Sequence, residues 1–378
     1  MRLNVKFIQS FFLLSLAFCI NVQAEVTSEN KNQIWGMFKG NAAHTGYVPI
    51  NIDFSKLKMV NEYDLKGKDV NSIRISQDQI FLASTNSIVA IAIEGGEQNW
   101  MYSSEMLSID SPVYSDKNLY FQTRYDYFPS EKHMMVLNTQ TGVVTFQHEL
   151  EYSPYTIEPV VEQNNLYFST DDYKGSITKI KNDTLKPEWT SKVTDNSSLH
   201  NLTLNDQHLY AVASRSLNEI DKTNGSIINT IQNDCCYFNQ APTLTEKGLV
   251  ATAQEDLVFY SIEENKLIWR TPVGSRYFAT DTKYIYSLFN NRLYALDIET
   301  GNKVWWNLAT VFSDHISDIV VSKNAVIVSD PNGTRAFSKE KDHSLIWATS
   351  SNGKLFLTKQ GLFIYSSSDY KLRRFLWN

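Results

Sequence analysis

Tryptophan recurs along this chain at a nearly constant spacing, and each time it closes the same short pattern. The clearest copy is Arg292-Leu-Tyr-Ala-Leu-Asp-Ile-Glu-Thr-Gly-Asn-Lys-Val-Trp305. Leu293 to Leu296 form a short, largely apolar, β-prone run, the composition of a strand covered on both faces. The carboxylate of Asp297 is placed to accept backbone amides just ahead of it and so to start a turn. Gly301 supplies the positive φ that a tight connection needs. Lys303 to Trp305 then leads into a second strand. Aligned on this pattern, the tryptophan position reads Trp100, Phe146, Trp189, Asn229, Trp269, Trp305 and Trp347, at intervals of 36 to 46 residues. The residue eight positions earlier reads Ala92, Asn138, Lys181, Asp221, Ser261, Asp297 and Lys339. Four residues after that stand Gly96, Gly142, Leu185, Gly225, Asn265, Gly301 and His343.

Each copy follows another apolar run, such as Ile80 to Ala83, Leu209 to Val212 or Ala325 to Val328. A period of about 40–50 residues carrying several short strands is the sequence form of a β-propeller. The fold class is therefore all-β, built of four-stranded antiparallel blades. The large aromatics at the repeat position, Trp100, Phe146, Trp189, Trp269, Trp305 and Trp347, are expected to fill the space between blades.

The two ends of the chain decide the blade count. Gly361 to Tyr365 and Lys371 to Phe375 match the second and third strands of an eighth unit, whose next tryptophan position falls beyond Asn378. Leu57 to Leu65 reads as a lone strand ahead of the first full repeat. It is free to supply the missing outer strand and close the ring, which also covers edges that would invite aggregation. Eight blades are expected, with seven as the fallback, in one domain over residues 56–378.

Residues 1–24 have the form of an export signal. Arg2 and Lys6 precede the apolar stretch Phe11 to Ile20, and Val22-Gln23-Ala24 is a small-residue cleavage site. The stretch is short for a membrane span, and no other segment approaches the required length. Phe18 is bulky for the position before a lipidated Cys19, so no lipid anchor is expected. Export to the periplasm follows, with secretion as the alternative. Residues 25–55 form a lead-in segment. Within it Trp35, Phe38 and Tyr47 are apolar anchors and Gly36, Gly40, Gly46 and Pro49 interrupt regular structure, the pattern of a strap that seals one end of the propeller. A ligand role for Asn41 and His44 is the alternative.

The net charge of −6, with both signs scattered, excludes a nucleic-acid partner, which needs concentrated cationic surface. The seven histidines show no metal-ligand spacing. No haem-attachment motif, nucleophile elbow or phosphate loop occurs, so no catalytic residue, metal or cofactor is assigned. Two places stand out. Residues 122–133 lengthen the second blade, and Tyr125, Tyr127 and Phe128 near its tip either contact a partner or fold back on their own blade. Cys235 and Cys236 are the only cysteines after residue 24. Adjacent Cα atoms sit ~3.8 Å apart, below the usual disulfide range, so the pair is either two thiols, a strained bridge, or a redox or ligand contact.

The repeat Leu293–Trp305 resembles that of bacterial pyrroloquinoline-quinone-like (PQQ-like) β-propellers over nearly the whole chain after residue 24. That resemblance implies an eight-bladed ring and two kinds of function. One is non-catalytic, as in the propeller lipoprotein of the outer-membrane β-barrel assembly machinery. The other is that of the larger quinoprotein alcohol dehydrogenases, which hold their quinone on Ca²⁺, use an Asp base and often stack the cofactor on a vicinal disulfide. Cys235-Cys236 is similar to that last feature but lies mid-chain, and no motif here matches the calcium ligands or the base. The expectation is a monomeric, non-enzymatic scaffold with a protein partner in the cell envelope. The alternatives are a binder of sugar or cell-wall fragments and a PQQ-dependent dehydrogenase.

Overall fold

The computed structural model describes residues 34–378 except 67–69, 105–106, 126–131, 151–157, 170–174, 183, 185, 194–198, 200–201, 214, 233–236, 239–240, 275–276, 291, 308–317 and 341. These residues form eight antiparallel sheets, one per repeat, and the molecule is an eight-bladed β-propeller. Among the described residues the helical content is one 3₁₀ turn, Phe38–Gly40. In chain order blade 1 spans 72–103, blade 2 107–150, blade 3 160–192, blade 4 203–232, blade 5 243–271, blade 6 278–307 and blade 7 318–349. Blade 8 takes its inner, second and third strands from Lys354–Thr358, Gly361–Ser366 and Lys371–Leu376. Its outer strand is Lys58–Asp64, paired antiparallel to Lys371–Leu376 from Lys58↔Leu376 to Asp64↔Lys371. The first strand of the fold thus completes the last blade.

Second and third strands are buried along most of their length because both faces are covered, even where they carry polar residues such as Lys179 or Glu219. Leu249, Val250 and Ala251 in blade 5 and Val326, Ile327 and Val328 in blade 7 have no exposed surface. The core is accordingly a series of layers between neighbouring blades. Phe81, Ala90 and Trp100 of blade 1 meet Leu119, Phe121 and Met135 of blade 2. Val250 and Phe259 of blade 5 meet Phe278 and Leu296 of blade 6.

The repeat pattern is the device that docks one blade on the next. In every blade the outer strand carries a one-residue irregularity directly before the tryptophan position, as between Lys303 and Trp305 or Leu267 and Trp269. A bulge bends and twists the strand locally and re-aims the following side chain. Trp100, Trp189 and Trp269 lie on the turn glycine of the next blade, Gly142, Gly225 and Gly301. Each indole N–H donates to a carbonyl of that turn, Thr139 O at 2.7 Å, Lys222 O at 3.1 Å and Ile298 O at 2.8 Å. The turn itself is held as the sequence implies. Asp297 Oδ1 accepts the N–H groups of Glu299 (3.1 Å) and Thr300 (3.0 Å).

Where the pattern degenerates, a substitute contact appears. Asn229 of blade 4 exchanges side-chain hydrogen bonds with Asn265 of blade 5. Trp305 stacks on the His343 ring at 4.3 Å, and Trp347 meets Phe375 edge-on at 5.5 Å. Phe146 packs into the layer beyond blade 2. In blade 8 the register position of the tryptophan is held by Asn61, opposite Arg374. The docking residue is instead Tyr63, whose hydroxyl donates to Ile93 O at 2.5 Å and whose ring lies against Gly96 of blade 1.

Candidate functional site: a plugged channel and an open face

The inner strands of the blades surround a central channel, and the lead-in segment runs along its wall from one blade to the next. Trp35 bridges Ile75 of blade 1 and packs edge-on against Phe356 of blade 8. Gly36 O accepts from Tyr114 N in blade 2 at 2.8 Å, and Phe38 N donates to Glu158, just before blade 3, at 2.7 Å. Ala42 O and Ala43 O accept from Leu204 N (3.3 Å) and Leu244 N (2.9 Å) of blades 4 and 5. Thr45 O accepts from Thr280 N of blade 6 at 2.8 Å, and Gly46 and Val48 pair with Val321 of blade 7. Ile75, Leu204, Leu244, Thr280 and Val321 are each the last residue of an inner strand. The segment therefore closes the channel at the face where inner strands turn into second strands. Backbone groups that would otherwise be orphaned at this mouth are paired through it.

Buried polar groups gather where the plug meets the channel wall. Arg74 on blade 1 pairs with Glu158 at 2.7 Å, and both side chains are almost fully buried. Burial raises the Glu158 pKa, opposed by the Arg74 charge and the Phe38 amide. The Asp318 carboxylate accepts Ile319 N (2.8 Å) and Leu355 N (3.0 Å), yet burial pushes its pKa up to about 6. Lys39 has its ammonium over the Phe278 ring at 3.7 Å, with no exposed surface on the nitrogen and no hydrogen-bond partner. Burial lowers its pKa to about 7, with the Asp318 charge opposing. His44 is 2% exposed. Its Nδ1 stands 3.1 Å from Thr203 Oγ1, whose own proton goes to Pro242 O at 2.6 Å, so Nδ1–H is the donor. Burial first, then the Lys39 and Arg74 charges, lower the His44 pKa to about 3. Asn41 bonds to Thr45 within the segment. His44 thus ties the plug to Thr203 and is buried, while Asn41 braces the segment internally and is half-buried.

The opposite face carries the connections from second to third strands and from each outer strand to the next blade. Blade 2 is extended there. Its second and third strands, Asn118–Tyr125 and Lys132–Asn138, are eight and seven residues long. An additional inner piece, Leu107–Ile109, pairs with the extension up to Leu107↔Tyr125. Gln122 is fully buried and donates to Ser169 O of blade 3 at 3.2 Å, so the base of the loop is fixed. Tyr125 ends the strand. Tyr127 and Phe128 lie outside the described residues, as do Cys235 and Cys236.

On the same face stand two aromatics that the sequence did not single out. Tyr237, between blades 4 and 5, is 54% exposed, and Tyr277, at the start of blade 6, is 37% exposed. The guanidinium of Arg215, from the neighbouring turn of blade 4, stacks on Tyr237 at 4.6 Å. Exposed Tyr and Arg on short connections of a rigid ring are the residue types that anchor protein interfaces. The one available sequence signal was the proximity of Tyr237 to the cysteine pair.

Among the described residues no three His, Cys, Asp or Glu side chains stand together to hold a metal. The channel carboxylates Glu158 and Asp318 are committed to Arg74 and to backbone amides, so the calcium–quinone arrangement finds no fitting donor set there. No helix among the described residues is long and apolar enough to cross a membrane.

Blade architecture, docking turns and ring closure define a PQQ-like β-propeller. The family model described as outer membrane protein assembly factor BamB matches residues 52–231 and 240–363, and the chain belongs to that family. A search of curated proteins found no match. Solved structures share the fold. BamB from Moraxella catarrhalis superposes with TM-score 0.67 at 14% identity, over 85% of this chain and 99% of that one. The quinohemoprotein alcohol dehydrogenase ADHIIG from Pseudomonas putida HK5 gives 0.68 at 8% identity, over 94% and 82%. The computationally designed Ika8 protein gives 0.67 at 12% identity, over 83% and 99%.

Proposed function

We propose that the protein is exported to the periplasm and acts there, without catalysis, as a protein-binding scaffold in the assembly of outer-membrane proteins. The observation that carries this reading is the match to the assembly-factor family across seven of the eight blades and most of the last. Two features of the ring support it. One channel mouth is filled by the chain's own lead-in segment, and the channel carboxylates are already committed to partners. The opposite face presents Arg215, Tyr237 and Tyr277, and the extended hairpin of blade 2 rises on that same face.

Affinity capture from bacterial envelopes tests the proposal, with mass spectrometry asking whether outer-membrane assembly proteins are retained. The intact chain is expected to retain them. A Tyr237→Ala, Tyr277→Ala double variant, and a chain shortened between Tyr125 and Lys132, are expected to lose most of the signal while remaining folded. Equal recovery by all three chains, or capture devoid of assembly proteins, would contradict the reading.

A further inference from the structure

Two basic side chains of the lead-in segment are buried without an acid against them. The Lys39 ammonium finds no acceptor for its protons, only the face of Phe278 at 3.7 Å. His44 donates through Nδ1 to Thr203 Oγ1, and no carboxylate among the described residues pairs with its ring. Arg74, by contrast, has Glu158 against it at 2.7 Å. Both residues also hold left-handed backbone, Lys39 at φ 49 and His44 at φ 57, a region that side chains other than glycine seldom occupy.

The stretch that carries them hangs between two firm ends. Trp35 and Ile75 exchange backbone bonds at 2.9 and 3.0 Å, and Val48 N donates to Val321 O at 2.9 Å. In between, Gly40 and Gly46 turn the chain at φ +90 and +66. Residues 42–46 are held to blades 4 to 7 by single backbone bonds accepted by Ala42, Ala43, Thr45 and Gly46, and by the hydroxyls of Thr203 and Thr243 on His44. Few apolar contacts and isolated hydrogen bonds mark a segment that opens before the core does.

We propose that the stretch from Phe38 to Val48 is an acid-released plug, seated firmly while Lys39 and His44 are neutral and lifted from blades 4 to 7 when they take up protons. The charges facing Lys39 are Asp318 of blade 7 and His44 itself. Those facing His44 are Lys39 and Arg74 of blade 1, and Arg74 is bonded to Glu158. Burial holds Lys39 at about 7 against an ordinary 10.5, and His44 at about 3 against 6.5. Both return to their ordinary values once the stretch is in water, so seating expels protons. The seated state therefore loses ground as pH falls, from 10.5 to 7 through Lys39 and from 6.5 to 3 through His44. Asp318, raised to about 6 from 3.8, and Glu158, also raised by burial, oppose this at lower pH. Release frees the amides of Leu204, Leu244, Thr280 and Val321 and opens the channel at this face.

The test is hydrogen exchange of the full chain, read by mass spectrometry at pH 9 and at pH 6 and corrected for intrinsic amide rates. Opening of residues 38–48 is expected to rise about a hundredfold from the higher to the lower pH. At pH 6 it should exceed that of blade-core peptides such as residues 248–260 by at least about tenfold. Lys39→Met, which leaves nothing to protonate at that position, should reduce the pH dependence to a few-fold. Lys39→Arg, which stays charged throughout, should already be open at pH 9. Four results overturn the proposal. They are equal protection at the two pH values, exchange of the segment in step with the blade core, full pH dependence in Lys39→Met, and native protection at pH 9 in Lys39→Arg. Each leaves the protein-binding reading intact, because that reading concerns the other face.

Discussion

A methyl group added at Gly301 probes the dock between blades 5 and 6. Gly301 has φ +68, and a Cβ built there stands 2.6 Å from Trp269 Cδ2 and 2.8 Å from Cε3. Gly301→Ala therefore carries two costs, about 1–2 kcal/mol for a left-handed non-glycine residue and about 1–3 kcal/mol for displacing a packed indole. Trp269→Ala removes a side chain that is 8% exposed, stacked on Phe259 at 5.7 Å and bonded to Ile298 O. Its own cost is about 3–5 kcal/mol. The informative quantity is the coupling. Once the indole is gone the added methyl meets no clash, and only the backbone term remains. The double variant should then be about 1–3 kcal/mol more stable than the two single losses predict. Urea denaturation of the four proteins, read as midpoint shifts at constant slope, measures this directly. If Gly301→Ala costs the same with and without Trp269, the glycine is not reserved for the tryptophan and the reading of the repeat as a docking device fails.

Three further outcomes follow from the same geometry. Asn229→Trp should destabilise by about 1–3 kcal/mol, because Asn265 occupies the place of the turn glycine. Pairing it with Asn265→Gly should recover most of the lost thermal midpoint. Tyr63→Phe should cost about 1–3 kcal/mol by leaving Ile93 O without its donor. Lys39→Met should stabilise the fold, by an amount that depends on pH. The folded Lys39 titrates near 7 and the unfolded one near 10.5, so between these values the unfolded chain holds the extra proton and stability rises with pH. The advantage of Met is therefore full below pH 7 and fades toward 10.5, which denaturation midpoints at pH 6 and pH 9 will show.

The sequence made the blades legible because burial on both faces writes continuous apolar runs, and eight such runs at one period leave little freedom. Ring closure was legible for a similar reason, since an apolar strand without a blade and a blade without its outer strand complete each other. Tyr63 was not. It docks two register positions away from the aligned site, at Asn61, and nothing in a lone strand reveals that offset. The Asn229–Asn265 pair and the Trp305–His343 stack were hidden in the same way, because each looks like decay of the pattern until both partners are seen together. The path of the lead-in segment leaves even less trace. Its contacts with successive blades run mostly through backbone amides and carbonyls, which place few demands on side chains. The channel ion pair of Arg74 and Glu158 joins residues from blade 1 and the approach to blade 3, and their burial cannot be inferred from local composition. Tyr237 and Tyr277 looked like core aromatics among many.

What distinguishes this ring is its polarity, one face filled by the chain itself and the other offering aromatic and arginine contacts. Hydrogen exchange read by mass spectrometry on the complex with its captured envelope partner tests that claim most directly. Peptides containing Arg215, Tyr237 and Tyr277 should gain protection when the partner binds, while residues 34–52 exchange as in the free protein. Protection centred on the lead-in segment, with the Tyr237 face unchanged, would contradict the account.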